Sequence, residues 1–308
     1  MVRIDMKREL RLSLIVATYN RAEQLMVTLR SIAMQRAAAE LWECIVVDNN
    51  SKDSTAERVE EFRLAHPKLN IVYVREEQQG LSYARNAGIR VAQGDILAFV
   101  DDDERIVEGF IGAYIELFDK YSDAMSAGGR IVAEYPTGRP RWMSRYTEQP
   151  IANPMDFGRS VRLFPKGRIP GGGNMAMRRE FFERVGVFDT ELGRKGGSLI
   201  GGEESDIFER AEALGLRCYY VPDAVMYHII PEAKLTEEYF EHLCYNTGVS
   251  QRMRAERHNR VLRQYVAEVL KWCATALLAF VHRPQQTVFI IKMRRKISQG
   301  LFIGKVCK

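Results

Sequence analysis

The sequence is short of several things at once, and each shortage removes a class of protein. Its five cysteines, Cys44, Cys218, Cys244, Cys273 and Cys307, are odd in number and far apart, with no CxxC pair. That usage argues against a disulfide scaffold and a zinc site and fits free thiols in a reducing compartment. No stretch reaches the roughly 18 uninterrupted apolar residues of a membrane-spanning helix. The first residues, Met1 through Lys7 and Arg8, are charged and lead into strand-like sequence without a signal peptide's apolar run, so the cytoplasm is the expected compartment. Internal repeats and low-complexity tracts are absent. After the first strand-like run, where a nucleotide-binding α/β protein carries a glycine-rich phosphate loop or GxGxxG, the chain reads Ala17-Thr18-Tyr19-Asn20-Arg21. A dinucleotide-dependent oxidoreductase and a nucleotidyltransferase both lose ground on that point.

What is present is an ordinary globular composition, 46% hydrophobic and 28% charged over 308 residues, enough for two units or one enlarged one. The net charge of +5 is unevenly spread. Residues 1–233 hold 31 Lys and Arg against 35 Asp and Glu, whereas residues 234–308 hold 14 against 5. A basic tail on a mildly acidic body points to a polyanionic partner, such as an anionic membrane surface or nucleic acid. No recognised nucleic-acid module accompanies the tail, so nucleic acid is not the expected partner.

The first half alternates short apolar runs with amphipathic stretches. Leu12–Ala17, Cys44–Asp48, Ile71–Val74 and Ile96–Val100 read as strands. Between them, Leu25, Leu29 and Ile32 mark one helix behind an Asn20 cap. Val59 and Phe62 mark a second that Ser54 opens, and a third runs near Ser82–Val91. Strands apolar on both faces and separated by helices predict an α/β fold with a mostly parallel central sheet flanked by helices. Ligands in such sheets bind beyond the carboxyl ends of the strands, where Thr18, Asn20, Asp48, Asn50, Asp101 and Asp103 gather. Residues 136–170, rich in Pro, Gly and Arg, read as a long loop of the kind that forms lids. Short elements resume from Gly171 to about Pro231, and residues 235–308 read as helical with a break at Pro284.

The chemistry centres on Asp101-Asp102-Asp103. Three adjacent carboxylates repel one another unless a cation or solvent compensates. On an extended segment Asp101 and Asp103 share a face, with Asp102 turned away, and could hold a hard divalent ion. Taken alone, the triplet equally fits a solvated acidic turn capping a helix that starts near Val107.

The succession Ser13–Asn20 (SLIVATYN), Ile45–Asp53 (IVVDNNSKD), Gly80–Gly88 (GLSYARNAG), Phe99–Asp103 (FVDDD), Gly171–Arg178 (GGGNMAMR) and Gly202–Asp206 (GEESD) resembles family 2 of the GT-A-fold glycosyltransferases, over roughly residues 12–230. The resemblance implies a catalytic domain over 1–233, a basic helical extension over 234–308, and inverting sugar transfer from a nucleotide donor, UDP-sugar favoured, to an acceptor hydroxyl. Ala17, Thr18 and Tyr19 resemble the family's nucleoside contacts, Asp48 the acid on the base, and Arg85 the basic residue near the donor. Asp101 and Asp103 resemble its DxD pair, the first nearer ribose and sugar and the second on Mn²⁺ or Mg²⁺, with Asp102 beside them and His228 as a further ligand. Where the family reads Glu-Asp, with the Asp as base, this chain has Glu203-Glu204. The carboxylate is kept with a longer reach, so Glu204 is the candidate base and Glu203 the alternative. Gly172, Gly173 and Asn174 correspond to the segment under donor sugar and acceptor. Gly196-Gly197 and Gly201-Gly202 flank the base and would let that loop close.

A saccharide or lipid-linked acceptor is expected, in cell-surface polysaccharide or glycolipid synthesis. A binding module without catalysis is the non-enzymatic alternative. In the tail, Phe289, Met293, Ile297 and Leu301 recur at i+4 among Lys292, Arg294, Arg295 and Lys296. This basic amphipathic helix suits an anionic membrane interface on the cytoplasmic side; packing on the catalytic domain or on a second copy, in a homo-oligomer, is the other reading.

Overall fold

The computed structural model describes residues 10–196 and 198–303. The charged N-terminus, Gly197 and Cys307 lie outside the described residues. One sheet, ordered β3-β2-β1-β4-β8-β6-β9-β5, organises the chain, with β7 paired to β9. Strands β1 (Leu12–Thr18), β2 (Trp42–Asp48), β3 (Ile71–Arg75) and β4 (Ile96–Asp101) run parallel, as their apolar two-faced sequences predict.

Strand periodicity explains the layers. Leu12, Leu14 and Val16 of β1 face α1 (Ala22–Ala33), α2 (Thr55–Ala65) and α4 (Phe110–Lys120), where they meet Leu25, Leu29, Val59, Phe62 and Tyr114. Ile15 faces the other side, with Ala84 and Ala87 of α3 (Leu81–Val91), Phe181 and Phe182 of α6 (Arg179–Val185) and Ile207 of α7 (Glu203–Ala213). All these side chains are buried.

The fold is the α/β sheet flanked by helices that the sequence predicts, and its second half is mixed: β8 (Met175–Arg178) runs antiparallel between β4 and β6 (Ala124–Glu134), whereas β9 (Arg217–Ile229) is parallel to β6. Three local expectations need correcting. Asn20 does not cap α1. It takes a left-handed φ of 52° and accepts from the Lys52 N–H, while Asp53 accepts from the Ala22 N–H at 3.1 Å. Residues 136–170 are not one loop, because they contain α5 (Arg145–Ala152), fixed by a Ser144/Thr147 capping box, and β7 (Arg162–Leu163). After the acid triplet comes a short strand, β5 (Glu104–Ile106), and the helix read near Val107, α4, begins at Phe110, so the triplet does not cap it. β5 pairs antiparallel with β9 and sets Glu104 opposite His228, which brings the triplet and the end of β9 together.

A 3₁₀ turn, Glu232–Leu235, leads into α8 (Glu237–Arg257), α9 (Val261–Ala279) and α10 (Pro284–Ile303). The α10 stripe read from the sequence faces protein: Met293, Ile297 and Leu301 are buried, and Phe289 stacks on Trp142 at 4.3 Å and lies against Phe240 of α8. The expectation that this stripe meets a membrane is therefore replaced by intramolecular packing. Part of the tail's basic excess is also spent inside, on Lys292–Glu237, Lys296–Glu241 and Arg294–Glu268 pairs.

Candidate active site

The carboxyl ends of β1 and β4, the start of α7 and the flank of α8 enclose a cleft of about 470 Å³. Ala17, Thr18 and Tyr19 line it at the end of β1, as do Asp101, Asp102 and Asp103 at the end of β4 and Glu203 and Glu204 at the head of α7.

The triplet is a turn, so strict alternation fails beyond Asp101. Asp102 is buried in the wall, where its carboxylate accepts from Thr18 Oγ1 at 2.8 Å and Arg21 Nη1 at 2.9 Å. Burial pushes its pKa up to about 6 against the opposing charge of Arg21. Asp103 pairs with Lys234 Nζ at 2.6 Å and Arg21 at 3.3 Å, and its Oδ1 lies 3.9 Å from His228 Nε2. Burial would raise Asp103; Lys234, then His228 and Arg21, outweigh it and hold the carboxyl well below the usual range. Asp101 turns the other way, to Arg85 Nη2 at 3.1 Å.

Sequence reading passed over a fourth acid, Glu104. It is buried, accepts from the Asp101 N–H at 2.9 Å, and is pushed well above its ordinary pKa by burial and by the charges of Asp101 and Asp103. The glycines at 172 and 173 owe their identity to these carboxylates. A Cβ at Gly173 would run into the Glu104 carboxylate, and one at Gly172 into that of Glu204, with Arg85 Nη2 also only 2.7 Å away.

Arg85 is the hub of the site. Fully buried, it reaches Glu203 at 3.1 Å, Glu204 at 3.0 Å and Asp101 at 3.1 Å. Burial disfavours the charged guanidinium, but Glu204, then Asp101, with Glu203 beside them, outweigh it and raise the Arg85 pKa. The two glutamates divide in character. Burial, then the Glu204 charge, pushes Glu203 up to about 8, so it holds its proton at neutral pH. Glu204 is also raised by burial, but Arg85 reverses this and leaves it below its ordinary value. Glu204 keeps 22% of its side chain exposed against 2% for Glu203, whose Oε2 is buried without a hydrogen-bond partner.

The remaining sequence candidates sort by what they touch. Asp48 is buried, accepts from the Ser51 N–H and the Tyr73 hydroxyl, and leaves the cleft wall there to Asn49. Asn174 is a bracing residue: its amide donates to the Arg130 and Ala224 carbonyls and accepts from the Tyr114 hydroxyl, so it does not project into the cleft. Among the described residues no group of three or more His, Cys, Asp or Glu side chains is arranged to hold a metal ion. Two do face each other. His228 Nδ1 lies 3.2 Å from the Ala152 carbonyl, which can only accept, so Nδ1 carries a proton and Nε2 presents its lone pair toward Asp103. Burial, against the pull of Asp103, favours the neutral ring.

Arg21, Lys234 and Arg194 escaped the sequence reading. Arg21 follows the β1 end directly and could have been found from that position. Lys234 carried no signal, since only the fold brings it to Asp103. Arg194 lines the cleft and forms no ion pair among the described residues. The cleft is also closed by Leu243, Thr247, Ser250 and Arg254 of α8, from the segment set apart as an extension.

A sheet with acids at its strand ends opposite a carboxylate-headed helix suits an enzyme that moves a proton at a polar substrate, and comparison with known proteins identifies the class. The family model described as Glycosyl transferase family 2 matches residues 13–186, more than half of the chain. The chain belongs to glycosyl transferase family 2, and it is a glycosyltransferase. It is 25% identical over 259 residues to a glucosyl-dolichyl phosphate glucuronosyltransferase of Haloferax volcanii, covering 79% of this chain and 77% of that one. To the succinoglycan biosynthesis protein ExoM of Rhizobium meliloti it is 29% identical over 256 residues, covering 81% and 74%. The fold is that of GT-A enzymes. A mannosyltransferase from Pyrobaculum calidifontis, solved with GDP-Man and Mn²⁺, superposes with a TM-score of 0.59 at 19% identity over 96% of this chain and 88% of that one. TarS 1–349 of S. aureus with UDP-GlcNAc gives 0.55 at 18%, over 95% and 82%.

Proposed function

We propose that the protein is a metal-dependent, inverting glycosyltransferase that moves a sugar from a nucleotide-sugar, UDP-sugar favoured, to a hydroxyl of a saccharide or lipid-linked acceptor in cell-surface polysaccharide or glycolipid synthesis. The observation that carries this reading is the single cleft in which Arg85 ties the acid turn at Asp101 to the carboxyl pair Glu203/Glu204. The catalytic unit is 1–233 and the helical extension 234–308, with α8 serving as a wall of the site.

The division of the glutamates supports the following roles. Glu204, ionised and open to the cleft, takes the proton from the acceptor hydroxyl. Glu203, protonated and closed off, holds Arg85 and Glu204 in place. The Glu204–Arg85 pair keeps the base weak at rest, and loosening it as substrates enter would raise the basicity of Glu204 when it is needed. Thr18, Tyr19, Asn49 and Arg194 line the cleft; the first three would meet the nucleoside and Arg194 the diphosphate. Asp103 and His228 would hold a divalent ion, the carboxylate suiting either Mn²⁺ or Mg²⁺ and the imidazole nitrogen favouring Mn²⁺. When bound, that ion would neutralise charge developing on the leaving diphosphate. Asp101, engaged by Arg85, is the weaker candidate for that role.

The test is a thermal-shift panel of UDP, GDP, dTDP and CDP with and without Mn²⁺, followed by transfer assays with the stabilising donor. Metal-dependent stabilisation, greatest with UDP, is expected; no stabilisation by any nucleotide would refute the reading.

A further inference from the structure

Among the described residues, the C-terminal hairpin leaves one helix face without a partner. On α9, Leu262, Val266, Val269, Leu270, Cys273 and Leu277 are exposed, at steps of i, i+4, i+7, i+8, i+11 and i+15. These positions form one continuous helical stripe. Leu262 is 77% exposed, Leu277 70%, and Phe280 and Val281 at the hairpin tip 89% and 80%. The opposite face of α9 is accounted for: Glu268 is buried against Arg294 and Ser298, and Thr275 is buried beside it. An apolar stripe of this length on one helix marks an interaction surface.

Charge decides what the surface meets. Between residues 260 and 303 stand eight Lys and Arg and one acid, Glu268, which is the buried one. Arg260, Arg263, Arg283 and Arg295 are exposed and form no ion pair among the described residues. Two copies joined through this face would bring like charges together, whereas an anionic surface would be drawn to it. Among the described residues no helix is long and apolar enough to cross a membrane, so a bilayer would be met from one side.

We propose that the α9 face and the α9–α10 tip form a monotopic binding surface for anionic phospholipid bilayers, with Leu277, Phe280 and Val281 entering the headgroup–acyl boundary and Arg263 and Arg283 meeting lipid phosphates. The surface is separate from the α10 stripe, which is packed on α8, and from the cleft, so it stands whatever the transferase chemistry proves to be.

The experiment is co-sedimentation of the full chain with vesicles of phosphatidylcholine alone or with about one third phosphatidylglycerol, at low and high salt. Binding to the anionic vesicles that weakens as salt is raised is expected, because screening shortens the reach of surface charge. The double variant Leu277→Glu/Phe280→Glu should lower partitioning at least tenfold. Arg263→Glu/Arg283→Glu should lower it on anionic vesicles at low salt. Both pairs are exposed, and unchanged nucleotide-induced thermal shifts would show the cleft intact. Absence of wild-type binding, or binding that the Leu277/Phe280 variant retains, would overturn the proposal. So would a wild-type dimer in sedimentation velocity that this variant makes monomeric, since a second copy would then be the occupant.

Discussion

Replacing Gly248 by alanine should destabilise the protein, against the ordinary rule for helices. Gly248 lies inside α8 and Gly300 inside α10, where the two helices touch backbone to backbone. A Cβ at 248 would meet the Ile297 carbonyl oxygen and sit 2.8 Å from the Leu301 amide nitrogen. Non-bonded heavy atoms prefer roughly 3.5–4.0 Å, so the helices must part by about 1 Å. Overpacking of that kind costs about 1–3 kcal/mol, while Gly→Ala in a helix gains about 0.5–1 kcal/mol. The balance is a loss centred on about 1 kcal/mol and no more than about 2.5 kcal/mol, together with a loosened seam at Ile297 and Leu301. Gly112 in α4 is the control, because a Cβ there meets nothing within 4 Å. Gly112→Ala should stabilise by about 0.5–1 kcal/mol. Urea denaturation followed by far-UV circular dichroism and by fluorescence of Trp142, which stacks on Phe289 of α10, reads both. If Gly248→Ala proves as stabilising as Gly112→Ala, the close α8–α10 approach is refuted.

Four further outcomes follow from the site. Glu204→Gln should lower kcat by about 10²–10⁴-fold with nucleotide-induced stabilisation retained; near-normal turnover would move the base elsewhere. Glu203 keeps a proton in the folded protein up to about pH 8, whereas its ordinary value is 4.5. The folded state then binds more protons than the unfolded between these values, so this group's contribution is present below about pH 4.5 and lost as pH rises through about 8. Glu203→Gln should flatten the fall in stability over that window, and an unchanged slope in melts from pH 5 to 9 would contradict the assignment. Lys234→Met frees Asp103 of its ammonium partner and should tighten binding of Mn²⁺ alone by about tenfold or more, about 1.4 kcal/mol, in a titration of free Mn²⁺ by electron paramagnetic resonance; equal or weaker affinity would show that Lys234 does not compete. Asp103→Ala should abolish transfer while leaving the fold cooperative, and residual activity within tenfold of wild type would remove Asp103 from the site.

Much of this architecture is legible in the sequence because burial on both faces writes itself as an unbroken apolar run. The four parallel strands and the residues at their ends could be read for that reason. The mixed half of the sheet could not, since β8 and β6 owe their direction to long-range pairing that no local pattern encodes. Glu104 was missed because a buried carboxyl beside three others looks like one more surface acid until β5 is seen to pair with β9. The α10 stripe shows the limit most clearly. Its periodicity correctly marked one apolar face, but periodicity does not say whether lipid, a second copy or α8 covers that face, and α9, with the same kind of pattern, has the opposite fate.

The family match ends at residue 186, yet Glu203, Glu204, His228, Lys234 and the α8 wall all lie beyond it. Under the proposed function, the matched segment carries the strand ends that would meet the donor, and the candidate base comes from beyond it. A fragment cut at the family boundary would lose the candidate base together with β9, which pairs with both β6 and β5, so the sheet and the far wall of the cleft would be broken along with the proposed chemistry.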